Sequence, residues 1–110
     1  MLILMRSKPA NSNNGYEAAL RKVRGVGLPA RPTRLDLSGC NLTALPPELW
    51  KLTTIKNLNL DHNQLNTLPP EIDQLGDLEF FHLRYNQLTA LPPELWRLTK
   101  LKILDLRTIG

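Results

Sequence analysis

The chain has one cysteine, Cys40. An intrachain disulfide framework is therefore excluded, and a reducing, cytoplasmic setting is expected. Long apolar runs are also missing. The opening Met1-Leu2-Ile3-Leu4-Met5 is too short for a signal core or a membrane span, and its positive charges follow it instead of preceding it. There are two histidines, His62 and His82, in no recognised ligand spacing and with no accompanying nucleophile. Gly25-Val26-Gly27 lacks the spacing and the lysine of a phosphate loop. No catalytic residue, cofactor or metal is expected, and catalysis would rest on the histidines alone. Aromatics make up 5% of the residues, so any that reach an exposed face stand out.

What the chain does have is a repeat. Leu35-Asp36-Leu37 returns as Leu58-Asn59-Leu60, Phe81-His82-Leu83 and Leu104-Asp105-Leu106, each 23 residues further on. Thr43-Ala44-Leu45-Pro46-Pro47-Glu48-Leu49 returns in the same register as Asn66-Thr67-Leu68-Pro69-Pro70-Glu71-Ile72 and Thr89-Ala90-Leu91-Pro92-Pro93-Glu94-Leu95. A period in the twenties with fixed apolar positions marks stacked supersecondary units, none of which can bury its apolar face alone. A stack this short has little interior, so marginal stability is expected.

The pattern Leu52-x-x-Ile55-x-x-Leu58-x-Leu60-x-x-Asn63-x-Leu65-x-x-Leu68-Pro69, with its neighbour from Leu75 to Pro92, closely resembles the leucine-rich repeat. The Leu-Pro-Pro-Glu-Leu/Ile segment resembles the subtype common in bacterial proteins and intracellular Ras-associated scaffolds. The resemblance runs from Arg34 to Ile109, three whole repeats and the first strand of a fourth. It implies an α/β solenoid: a short right-handed arc with a parallel sheet on its concave face and short helical or 3₁₀ turns on its convex face. Extracellular members usually carry cysteine-paired caps, which this chain cannot build. The implied role is a protein-binding module, either free-standing or leading a larger multidomain chain such as a ROCO-type GTPase or a bacterial effector.

The net charge of +4 is concentrated in the lead-in. Residues 1–34 carry Arg6, Lys8, Arg21, Lys22, Arg24, Arg31 and Arg34 against Glu17, which leaves the repeats at −2. Without a recognised module or interleaved aromatics, this basicity does not imply nucleic acid. By composition, residues 1–15 form a flexible tail and 16–33 a helix with its lead-in, ahead of repeats over 34–110. Tyr16, Ala19, Leu20 and Val23 share one helical face, with Asn14 as a candidate N-cap and Gly25 or Gly27 as a stop. Such a basic amphipathic helix suits an anionic membrane or a cap over the first repeat. The cap is favoured because the first repeat of a solenoid otherwise leaves apolar surface wet.

Within each repeat the strand leucines point inward, and Asn57, Asn59 and Asp61 point to the other face. Asn63 and Asn86 occupy the following bend, where an amide can serve turn backbone; Cys40 holds that place in the first repeat and reads as a buried structural thiol. The paired prolines suit an extended corner and a first helical position, predicting a short 3₁₀ or α turn near Glu48-Leu49-Trp50 and its equivalents. Trp50 and Trp96 share a convex column, where packing is the favoured role.

Four columns then face the concave side: Arg34, Asn57, Phe80, Ile103; Asp36, Asn59, His82, Asp105; Ser38, Asp61, Arg84, Arg107; and Gly39, His62, Tyr85, Thr108. Aromatics and arginine dominate interface energetics. The candidate contact patch is therefore Phe80, His82, Arg84 and Tyr85, extended by Asn59, Asp61, His62, Asp105 and Arg107, although Phe80 could simply pack on Ile103. At the far end, Leu98, Leu101, Leu104 and Leu106 are expected to be covered on one side only. That edge would invite self-association or a further layer.

Overall fold

Short strands form wherever the Leu-x-Leu pattern recurs, because alternate side chains must face one core. The computed structural model describes residues 14–24 and 30–107. Its strands are β1 (Arg34–Asp36), β2 (Asn57–Asn59), β3 (Phe80–His82) and β4 (Ile103–Asp105), preceded by helix α1 (Asn14–Val23). All three strand pairings are parallel and in chain order. Leu35 pairs with Leu58, Leu58 with Phe81 and Phe81 with Leu104, so the sheet register equals the sequence period.

Between strands the chain crosses the convex side through 3₁₀ turns at Pro47–Lys51, Pro70–Gln74 and Pro93–Arg97. In each, the first proline is extended and the second enters the turn, where its missing N–H costs nothing. The turn ends when the N–H of Leu52, Leu75 or Leu98 bonds back to the carbonyl of Leu49, Ile72 or Leu95. One carbonyl then receives two donors before each strand: Thr33 O accepts from Lys56 and Asn57, Lys56 O from Glu79 and Phe80, and Glu79 O from Lys102 and Ile103.

The core is a column of leucines with Ile55, Ile72 and Phe81, and its middle members, including Leu58, Leu60, Leu78 and Leu83, are fully buried. Each such side chain contributes roughly 1.5–3 kcal/mol. Helix α1 closes the first repeat by burying Ala19 and Val23 in this core, with Tyr16 packed against it. Polar contacts hold the helix in place: Lys22 Nζ donates to Asp36 O at 2.9 Å, and Arg24 pairs with Glu48 at 3.4 Å. The capping role is thus a packed contact. Two details differ from expectation. The helix starts at Asn14, inside the expected tail, so Asn14 is its first residue and not its cap. The expected stops Gly25 and Gly27, and the tail over 1–13, lie outside the described residues.

At the opposite end the expected half-coverage holds for Leu101, Leu104 and Leu106, whereas Leu98 is buried. Leu98 closes the preceding turn and so belongs to the third repeat's interior. The two tryptophans diverge: Trp50 packs partly against the core, while Trp96 is 63% exposed.

Candidate partner-binding face

Two asparagines lock the bends that follow β1, β2 and β3. Asn63 Oδ1 accepts the N–H groups of Cys40 and Leu42 from the preceding repeat, and its Nδ2 donates to the carbonyls of Leu37, Leu60 and Asp61. Asn86 repeats the arrangement one level on, accepting from Leu65 N and donating to the carbonyls of Leu60, Leu83 and Arg84. Cys40 is buried in the first repeat, and desolvation raises its pKa, so it stays a neutral thiol.

The rigid bend carries the fourth column into unusual backbone. Gly39, His62 and Tyr85 have φ of 66°, 59° and 59°. Left-handed conformation suits glycine but disfavours a histidine or tyrosine. It persists because the interstrand ladder continues through these residues: Gly39, His62 and Tyr85 donate their N–H to Asp61, Arg84 and Arg107 carbonyls at 3.0, 2.9 and 3.1 Å. The side chains of His62 and Tyr85 consequently stack, with ring centroids 4.4 Å apart and planes 17° from parallel. The Arg84 guanidinium lies 5.9 Å from the Tyr85 ring centre.

The second column serves the turn backbone, with one exception. Asp36 accepts the Ser38 N–H at 2.9 Å and the Ser38 hydroxyl at 2.6 Å. Asn59 accepts Asp61 N–H at 2.9 Å, and Asp105 accepts Arg107 N–H at 3.3 Å. These are side-chain turns spanning two residues. His82 occupies the third row and makes no such bond. Arg84 N–H goes instead to Asp61 Oδ1 of the preceding repeat, at 2.7 Å. Asp61 Oδ2 also takes the Arg84 guanidinium at 3.3 and 3.4 Å. Asp61 was expected on the open face but is buried. Its carboxylate turns inward because it must replace the turn acceptor that His82 does not supply.

The other candidates stay accessible in varying degree. Tyr85, His62 and Arg107 are exposed, while Phe80, His82, Arg84, Asn59 and Asp105 are half-buried. Phe80 is the register partner of Ile103, which is 49% exposed. Arg34 and Asn57, in Phe80's column, line a shallow hollow of about 220 Å³ with Leu35, Asp36 and Asn59. Both stand in the concave columns read from the sequence, outside the candidate patch. A larger hollow of about 320 Å³ lies on the convex side, lined by Thr43, Ala44, Leu45, Pro47, Trp50, Thr67, Pro69 and Glu71. Among the described residues no group of three or more His, Cys, Asp or Glu could hold a metal, and no helix is long and apolar enough to cross a membrane.

The Ser38 hydroxyl and N–H hold the Asp36 carboxyl below its ordinary value, and Arg107 does the same for Asp105. A lowered native pKa means that the unfolded chain takes up protons first. The stabilisation is therefore complete above the ordinary carboxylate range, near ~3.9, and is lost as pH falls through the native values. The thermal midpoint should stay level from neutral pH to mildly acid and then drop on further acidification. Asp36→Asn should blunt that drop; a midpoint that rises on acidification would contradict these contacts.

A family model described as leucine rich repeat matches residues 33–88. A comparison with curated proteins gives no match.

Proposed function

The chain belongs to the leucine-rich repeat family, and from that premise we propose that it is a protein-interaction module gripping an extended segment of another protein on its concave face. The observation that carries this reading is the His62–Tyr85 stack. Two non-glycine residues are held in left-handed backbone, and their rings stack 4.4 Å apart. Backbone strain of this kind concentrates where a side chain is needed in one place. Shallow relief supports a macromolecular segment over a small molecule, which would need a deeper pocket. The buried neutral Cys40 and the lack of a second thiol support a cytoplasmic location.

A second reading has one observation in its favour. The exposed Trp96 and Ile103, together with the half-covered Leu101, Leu104 and Leu106, support a further layer on the β4 end. That layer is a second copy, or more repeats of a larger multidomain chain of the ROCO-type GTPase or bacterial effector kind.

The concave reading is tested by selecting binders from a random displayed peptide library. Phe80→Ala or Tyr85→Ala should each weaken the selected binders by about 1–2 kcal/mol while leaving the melting curve close to the parent's. Binders that tolerate both changes but are lost with Trp50→Ala and Trp96→Ala would move the site to the convex side.

A further inference from the structure

The charges of the β3–β4 half of the concave face are layered, with acids beneath and cations outside. The Asp61 side chain is 7% exposed under Arg84 at 36%, and that of Asp105 is 19% exposed beside Arg107 at 74%. Arg84 also lies 3.6 Å from Asp105. The acids are held low by their own backbone duties, since each accepts a turn N–H as well as a guanidinium.

Both arginines spend the same edge on these contacts. Arg84 donates through Nε and Nη2 to Asp61, and Arg107 through Nε and Nη2 to Asp105. The Nη1 group of each has no partner among the described residues. His82, released from the turn duty of its column, adds an imidazole that is not spent on the backbone. The surface thus offers donors from adjacent repeats, while its carboxylate oxygens are already engaged.

Resting on the concave-face reading, we propose that the partner segment is acidic, its side-chain carboxylates docking on the free guanidinium edges of Arg84 and Arg107 beside His82, with Tyr85 as the apolar floor. Asp61 and Asp105 are positioning residues that fix the two guanidinium planes so that their outer edges face the partner. Planar guanidinium edges suit carboxylates bidentately. A nucleic acid is the alternative that the test separates, since phosphates would meet the same guanidinium edges.

The test is fluorescence anisotropy of the full chain with a labelled oligoglutamate peptide, an oligolysine peptide and a single-stranded oligonucleotide. Arg84→Gln would strand buried Asp61, so the informative variants are Arg107→Gln and His82→Gln, alone and combined. Arg21→Gln on helix α1 is the control, with the same charge change as Arg107→Gln. Oligoglutamate should bind, weaken as salt rises, and lose about tenfold or more in affinity in the double variant, with Arg21→Gln near the parent. Equal losses with Arg21→Gln would reduce the effect to bulk charge and overturn the proposal. So would no oligoglutamate binding, or tighter oligonucleotide binding lost with the same residues. If library-selected peptides depend on Phe80 and Tyr85 but are not acidic, the acidic partner falls and the concave face stands; if they ignore Phe80 and Tyr85, the concave reading itself falls.

Discussion

Asn63→Ala is expected to cost about 2–6 kcal/mol, enough to leave a stack of this size largely unfolded. Two buried N–H groups, of Cys40 and Leu42, lose their acceptor, at roughly 1–3 kcal/mol each. Three carbonyls, of Leu37, Leu60 and Asp61, lose a donor as well. Asn63 joins two adjacent repeats, so its removal weakens their interface along with its own bend. Asn63→Asp should be little better, since a carboxylate keeps the acceptor but faces those carbonyls without a proton. Asn66→Ala, three residues on and exposed, should change stability by less than about 0.5 kcal/mol. Urea denaturation compares them directly, and equal midpoints for Asn63→Ala and Asn66→Ala would show that the asparagine bridge is not what holds the bends.

The second large effect lies in the core. Phe81 is fully buried at the centre of the sheet, register partner to both Leu58 and Leu104. Phe81→Ala should cost about 3–5 kcal/mol, and Leu60→Ala or Leu83→Ala about 2–5 kcal/mol, through lost burial and the cavity left behind. Arg21→Ala, exposed on α1, should cost little. In a nearest-neighbour stack a central truncation loosens both flanking interfaces, so the whole transition should move as one. Equal midpoints for the core variants and Arg21→Ala would place these side chains outside the core.

Much of this was legible because the period fixes a register. Once Leu35, Leu58, Phe81 and Leu104 are aligned, parallel pairing of those residues follows, and so does the burial of Leu37, Leu60 and Leu83 two positions on. The asparagine bends and proline-led 3₁₀ turns were legible for a similar reason: amide geometry and the missing proline N–H leave few places where each residue fits. Asp61 was not. Alternation along a strand tells which way a Cα–Cβ bond leaves the backbone, and it stops informing where the strand ends and the side chain can fold back. The break in the Asp36, Asn59, His82, Asp105 column was visible in the sequence. Its remedy, an acid 23 residues before Arg84, was visible only as a contact.

The sequence by itself determined the repeat length, the strand register, the inward leucines, the position of the turns and the capping helix, because each follows from a local periodic constraint repeated along the chain. Tertiary structure alone decided how exposed each equivalent position is. Leu-Pro-Pro-Glu-Leu-Trp occurs identically before Lys51 and before Arg97, yet Trp50 is half-buried beside Thr67, Pro69 and Glu71 of the next repeat whereas Trp96 stands largely in solvent. The layered charges of the concave face have the same origin. Asp61 and Arg84 acquire their depths from each other across a repeat boundary, and burial depends on what the neighbouring layer places overhead.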